Sequence, residues 1–363
     1  MKKIGNSFKG ILGGIIAIII GIILLWWNEG NNVKNLKTTA EMEGNYIDVS
    51  SEKINESNEG KLIATNGKII NEKEMYDETF DVNVKSPLLK RIVEVYQWEE
   101  ESKTENDVTT YSYKKVWSSN LIDSSNFNDK NYINPTTKPY NNKEFKSDDV
   151  KVGAFSLSDD QISNLSTNGE FSEFNTEKIN ELGYTINGIY IINSKEINNP
   201  QIGDVRISYV YNDSKEISVL AVQSGNTFVN FISASGKKVN RIMDGNHSGI
   251  DMINIIKKEN KILKWVLRLV GLLIIVSGIA TILKPISTIT GYIPLLGSLV
   301  SGAVGFISFI LGLALSLIII ALAWIRFRPI LGISMLVIAA ILIIFLIIRS
   351  KNNTSLSANQ NNN

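Results

Sequence analysis

Two predominantly apolar blocks frame this chain, and a mixed polar stretch of more than two hundred residues separates them. The first block, 8–27, has 20 residues, which as a helix span about 30 Å, the thickness of a hydrocarbon layer. The second fills most of 265–348. Its 41 charge-free positions from Pro285 to Ile325 are too many for one crossing. Pro285, Gly291 and Pro294 predict a break there, and Arg326, Arg328 and Pro329 predict a tight polar turn. The expected spans are therefore 8–27, 265–283, 295–324 and 330–348. The fold class expected is integral membrane α-helical. It has four transmembrane helices, one N-terminal and three C-terminal, with a large strand-rich α+β extramembrane domain between helices 1 and 2. Flanking them are a cytoplasmic segment, 1–7, and a polar disordered tail, 349–363. The domain covers 28–247, and an amphipathic basic juxtamembrane helix covers 248–264.

Inside the polar stretch the period shortens to two. Segments 91–98 and 109–117 are rich in Val, Ile, Tyr and Trp, and the polar 99–107 between them predicts a long hairpin loop. Val205, Ile207, Tyr209 and Tyr211 alternate on one strand face. Strands 216–223 and 227–232 follow, joined at Ser224-Gly225-Asn226. Asn66-Gly67, Asn168-Gly169 and Asn187-Gly188 predict further turns, and 158–171 and 176–182 read as weak helices.

Charge sharpens this division. All 36 acidic residues lie from Glu29 to Glu259, where 26 Lys and Arg oppose them, a formal charge of −10. Such a domain repels phosphate backbones, so no nucleic acid is expected as a partner. Lys2, Lys3 and Lys9 with no nearby acid, and no small-residue cleavage site at Trp26-Trp27-Asn28, predict an uncleaved signal anchor with a cytoplasmic N-terminus. Four crossings then put both termini in the cytoplasm and the domain outside it. Lys257, Lys258, Lys261, Lys264 and Arg268, on the domain side of the second span, oppose this orientation. Trp26, Trp27, Trp265 and Trp324 fall at the domain-side boundary, as an aromatic belt does.

The same basic stretch is the candidate lipid contact. Ile250, Ile253, Ile256 and Leu263 share a helical face flanked by the lysines, which fits a helix lying on membrane lipids, anionic ones included. The alternative is a stalk whose lysines snorkel. Gly13, Ala17 and Gly21, and later Ser298/Gly302, Ser301/Gly305 and Ser308/Gly312/Ser316, offer smooth faces for helix packing; glycine is also simply common in membrane helices.

Catalytic chemistry is hard to place. The chain has no cysteine, so it has no disulfide framework, thiolate metal site or thiol nucleophile. His247, the one histidine, sits in Gly245-Asn246-His247-Ser248-Gly249 and reads as a loop residue rather than part of a triad. Asp148-Asp149 and Asp159-Asp160 lack the ligand spacing of a calcium loop, and no phosphate-binding Gly-rich loop precedes a helix. Asn55, Asn164, Asn212 and Asn246 head glycosylation sequons, which chance supplies in an Asn- and Ser-rich chain. No catalytic residue, metal or cofactor is expected.

A set of short motifs, in order, resembles the transmembrane protein 43 family, also called LUMA, over nearly the whole chain. They are Asn28-Glu29-Gly30; Asn58-Glu59-Gly60 with Leu62; Val93-Glu94-Val95-Tyr96-Gln97-Trp98-Glu99; and Tyr111-Ser112-Tyr113 with Trp117. Asn126-Phe127, Asn134-Pro135, Gly203-Asp204-Val205-Arg206-Ile207-Ser208-Tyr209, Trp265 with Arg268 and Gly271, and Phe327-Arg328-Pro329 continue the order. The chain departs in lacking cysteine and in having Phe327 where the family has Tyr. The resemblance implies four passes, cytoplasmic termini and a lumenal domain. It also implies residence in the endoplasmic reticulum and inner nuclear membrane, or the cell membrane in a prokaryote, with envelope organisation, protein partners and self-association.

From the residues themselves, Glu29-Gly30 and Glu59-Gly60 predict sharp turns. Arg206 is expected to pair with Asp204 or a buried carboxylate, or else to form a plain surface pair. Tyr96 and Trp98, alternating with Gln97, are expected against the core or the membrane surface. The function expected is a non-enzymatic membrane scaffold that forms homo-oligomers. The alternative is a subunit or regulator of a channel or transporter, which the lack of charge inside the spans disfavours. A membrane-tethered hydrolase would need a nucleophile and base.

Overall fold

The computed structural model describes residues 2–105, 108–194, 196, 198–290, 296–330 and 333–334. The chain divides into two units, one of Met1–Lys37 with Lys257–Asn363 and one of Thr38–Ile256.

In the membrane unit, the three helices long and apolar enough to cross a bilayer among the described residues belong to α1 (Lys2–Asn45), α4 (Gly249–Thr290) and α5 (Leu296–Phe327). The expected fourth span, 330–348, lies almost wholly outside the described residues. Two expected boundaries move. Helix α4 continues past residue 283 and through Pro285 to Thr290; a proline is tolerated inside a membrane helix because neighbouring groups and local adjustment satisfy the carbonyl it frees. Helix α1 runs straight through Glu29-Gly30, so no turn forms there.

Of the expected Gly13, Ala17, Gly21 stripe on α1, Gly21 lies in the packing face, while Gly14 takes the place of Gly13. A Cβ at Gly14 would lie 2.7 Å from the Gly278 carbonyl oxygen, and one at Gly278 equally close to that of Gly14, whereas Gly13 has nothing within 4 Å. Gly21 and Leu25 continue this seam against Ile275 and Gly271. On α5, Ser308 and Ser316 are buried and Gly312 meets Val276, while Gly302 and Gly305 face open space. On α1 the contacts at 14, 18, 21 and 25 follow a 4–3–4 spacing, the seam of a tightly packed helix pair, whereas Ser308, Gly312 and Ser316 on α5 keep the expected four-residue step.

The polar unit holds two seven-stranded sheets. In the first, Glu216–Ser224 pairs with Leu62–Asn71, and Thr227–Val229, Val150–Val152 and Phe155–Ser156 extend it. Both faces of the central pair are covered. Ile63, Ile217, Val219 and Ala221 pack on Val150, Val152 and Ile162, the last from the short helix α2 (Asp159–Ser163). Leu62, Ala64 and Leu220 pack the other way on Met42 of α1 and Met252 and Ile253 of α4. That is why Ile217–Val222 reads as an almost continuous apolar run. It also explains residues 248–264. They are not a separate helix but the first turns of α4, and the face expected to meet lipid is partly spent on this core.

In the second sheet Val205–Tyr211 pairs antiparallel with Leu88–Glu105, which pairs with Val108–Ser118 on its other side. The expected loop 99–107 is mostly strand. Glu99 faces Lys114 and Lys103 faces Thr110, so alternating polar residues with cross-strand partners extend the ribbon beyond the core. The core on this sheet comprises Val93, Val95, Ile191, Val205, Ile207 and Tyr209, closed by Phe80 and by Ile179 of α3 (Thr176–Glu181). Each buried Val, Ile or Phe contributes about 1.5–3 kcal/mol.

Of the expected turns, Gly188 (φ 59°) and Gly225 (φ 58°) do turn hairpins. Gly60, at φ 73°, makes the turn expected after Glu59. Asn66-Gly67 lies inside a strand, where Ser51 packs against Gly67, and Gly169 pairs with Tyr211. The weak helix 158–171 shrinks to α2, whose Ser158 and Gln161 form a capping box.

Candidate functional site

Three motifs far apart in sequence meet at one end of the membrane helices. Glu29 of α1 is fully buried. Its Oε1 accepts from Arg268 Nε of α4 at 2.7 Å, and its Oε2 accepts from Trp324 Nε1 of α5 at 2.8 Å. Both carboxylate oxygens therefore hold a donor, one from each neighbouring helix. The Arg268 guanidinium lies 4.7 Å from the Trp265 ring centre and 5.8 Å from that of Trp324. One residue back, Asn28 Nδ2 donates to the Lys264 carbonyl at 3.0 Å. One residue on, a Cβ at Gly30 would lie 2.8 Å from the Phe327 ring, which also meets Trp26 edge-on at 5.6 Å. Two turns further along α1, Asn35 donates to Asn260 Oδ1 at 2.9 Å.

Asn28-Glu29-Gly30 is thus one side of a clamp, with Gly30 present because an aromatic ring occupies the space a side chain would need. A buried ion pair gains little over apolar packing, but removing one partner leaves a charge stranded. The cluster fixes which helices meet and in what register.

The expected lipid-contacting residues divide. Lys264 and Arg268 are half-buried in this cluster, Lys258, Lys261, Trp27 and Trp265 are exposed, and Lys257 is half-buried. Trp26 is exposed apart from its edge contact with Phe327, and half-buried Trp324 donates to Glu29.

The polar unit has its own buried charge. Asp77 is fully buried; its Oδ2 accepts from Arg91 Nη1 at 2.7 Å and from the Tyr209 hydroxyl at 2.6 Å, and its Oδ1 from the Thr79 amide at 3.1 Å. Arg91 also donates to the Asn141 carbonyl and lies over Phe80 and Tyr140. Burial and the bond to Asp77 push the Tyr209 phenol far up, and burial pushes Tyr184 up to about 12. No sequence signal marked this trio beyond an arginine between Leu89 and Val93.

Arg206 pairs with Glu94 across the strands, Nε to Oε2 at 2.6 Å, and not with Asp204, whose carboxylate caps the Gln201 amide. Its guanidinium is sandwiched between Trp117 (4.8 Å) and Tyr190 (4.6 Å). Gly203 and Asp204 continue the ladder to Tyr96. Gln97, not its neighbours, points inward: it is fully buried, donating to the Asn120 carbonyl and accepting from the Ile122 amide. Tyr96 packs on Trp117 and Trp98 on Tyr132, both half-buried. Asn134 holds both backbone groups of Trp98, accepting from its amide at 2.7 Å and donating to its carbonyl at 2.8 Å.

The residues screened for chemistry serve other ends. His247 Nε2 meets the Asp244 carbonyl, Asp148 pairs with Lys73 and Asp159 with Lys146. Asn212 of the third sequon is buried, with its amide nitrogen on the Ser166 carbonyl. Among the described residues no group of three His, Cys, Asp or Glu side chains is placed to hold a metal.

A family model described as Transmembrane protein 43 matches residues 95–329, more than half of the chain. Transmembrane protein 43 of Homo sapiens is 26% identical over 353 residues, covering 91% of this chain and 87% of that protein. Transmembrane protein 43 of Pongo abelii gives the same figures. The Transmembrane protein 43 homolog of Drosophila melanogaster is 27% identical, covering 91% and 92%. No solved structure matches. The chain is an integral membrane protein, and it belongs to the transmembrane protein 43 family.

Proposed function

We propose that this chain is a non-enzymatic membrane scaffold, acting through protein–protein contacts and self-association in the endoplasmic reticulum and inner nuclear membrane, or in the cell membrane of a prokaryote. Its termini face the cytoplasm and its polar unit the opposite side. The observation that carries the reading is the ribbon formed by the outer halves of Leu88–Glu105 and Val108–Ser118. Residues 101–103 and 108–112 are all exposed, Val108 at 57% and Tyr111 at 41%. A two-stranded ribbon is marginal alone in water, and its open edges are templates for strand pairing with another chain. The Glu29, Asp77 and Arg206 clusters are engaged in holding the fold, whereas the outer half of this ribbon is open to a partner. Crosslinking in native membranes tests it: covalent oligomers or partner adducts that disappear when 99–114 is replaced by a short turn support the scaffold. A strictly monomeric protein with no adduct contradicts it.

A further inference from the structure

The clamp carries more positive charge than Glu29 neutralises. Lys264 lies within electrostatic range of Arg268, Arg328, Lys261 and Glu29, four cations in all with one carboxylate. That carboxylate has both oxygens engaged by Arg268 and Trp324. Arg328 is the residue left over. Its backbone amide closes the last turn of α5 on the Trp324 carbonyl at 2.7 Å, but its side-chain Nη2 is shielded from solvent with no hydrogen-bond partner among the described residues. A shielded guanidinium nitrogen without an acceptor is destabilising, so this site calls for an anion.

The surroundings specify which kind. Lys264 lies 5.6 Å from the Trp265 ring centre, and Trp265 and Trp324 have the amphipathic rings that favour head-group depth. A planar guanidinium with an ammonium in electrostatic range matches the oxygens of a phosphate, and basic pockets between membrane helices take lipid head groups. We propose that Arg328, with Lys264, binds the phosphate of one anionic phospholipid at the domain-side end of α4 and α5. This requires that the helices span a membrane and does not depend on the scaffold reading.

Native mass spectrometry of the full chain, released from neutral detergent with phosphatidylglycerol or phosphatidylcholine, tests the site. One retained phosphatidylglycerol per chain is expected, favoured about tenfold or more over phosphatidylcholine, which corresponds to the 1.4 kcal/mol of one charge-assisted bond. Arg328→Gln should lower that retention about tenfold, Arg328→Lys less, and Lys264→Gln should reproduce the loss independently. Equal retention of both lipids, or unchanged retention in both Gln variants, would overturn the proposal. Inorganic phosphate alone is the remaining arm. Displacement of the lipid by millimolar phosphate would assign a soluble phosphate instead and overturn the lipid assignment.

Discussion

Glu29 and Arg268 stand 239 positions apart in the chain and 2.7 Å apart in the fold. Their side chains are 1% and 13% exposed, so neither charge has water as a substitute partner. The pair ties the middle of α1 to the middle of α4, where their apolar stretches end, and Trp324 ties both to α5.

Removing one partner should therefore cost more than removing both. Glu29→Ala strands Arg268 and is expected to lower stability by about 3–5 kcal/mol. A cycle of Glu29→Gln, Arg268→Gln and the double variant should give a coupling of about 1–3 kcal/mol in detergent thermal melts. Additive losses would dissolve the pair.

Gly30→Ala should be destabilising by about 1–3 kcal/mol through overpacking against Phe327, and Phe327→Leu in the same chain should recover part of it. By the same reasoning Gly14→Ala is disruptive at Gly278, while Gly13→Ala, with nothing within 4 Å, is neutral. Melting curves of the four variants check the ranking, and equal effects at Gly13 and Gly14 would refute the seam.

Much of the architecture was legible in the sequence, for a reason that also marks its limit. Membrane spans and alternating strands are one-dimensional patterns set by solvent, so 8–27, 205–211 and 216–223 could be read directly. What a residue does across the fold leaves no such pattern. Gly30 looks like a turn glycine until the Phe327 ring is found over it. Gly13 and Gly14 differ only in phase on α1, and the partner helix decides between them. Gln97 reads as the solvent side of an aromatic strand, yet its amide anchors the chain at 120–122. Glu99 to Glu105 read as a loop because polarity was taken for irregularity, where cross-strand pairing supports a strand. The three motifs of the clamp were visible one by one, and their convergence was not.

In the polar unit, Tyr209→Phe removes the hydroxyl that Asp77 accepts from and should cost about 1.5–3 kcal/mol. Burial raises the folded-state pKa of Tyr184 to about 12 and shifts Tyr209 in the same direction. A phenol that ionises later when folded contributes its stability fully below about pH 10, where the unfolded phenol titrates, and loses it as pH rises through the folded value. Denaturant melts should thus show stability falling from about pH 10 to about pH 12, with a shallower fall in Tyr184→Phe. An unchanged slope in that variant would remove Tyr184 as the cause.

Asn134→Ala should free both backbone groups of Trp98 and speed hydrogen exchange at that amide, with little change at Val93, which Asn142 holds. Unaltered exchange at Trp98 would show that the strand closes without Asn134.

The absence of cysteine from the chain allows the helix arrangement to be read directly. A Cβ at Gly271 would lie 2.7 Å from Leu25 Cγ, so Leu25→Cys with Gly271→Cys places two thiols across the α1 and α4 seam beside the clamp. Oxidation in native membranes should close an intramolecular disulfide in nearly every chain, while Gly13→Cys with Gly271→Cys should close none. No disulfide in the first pair, or equal yield in both, would contradict the convergence of the three motifs on one site.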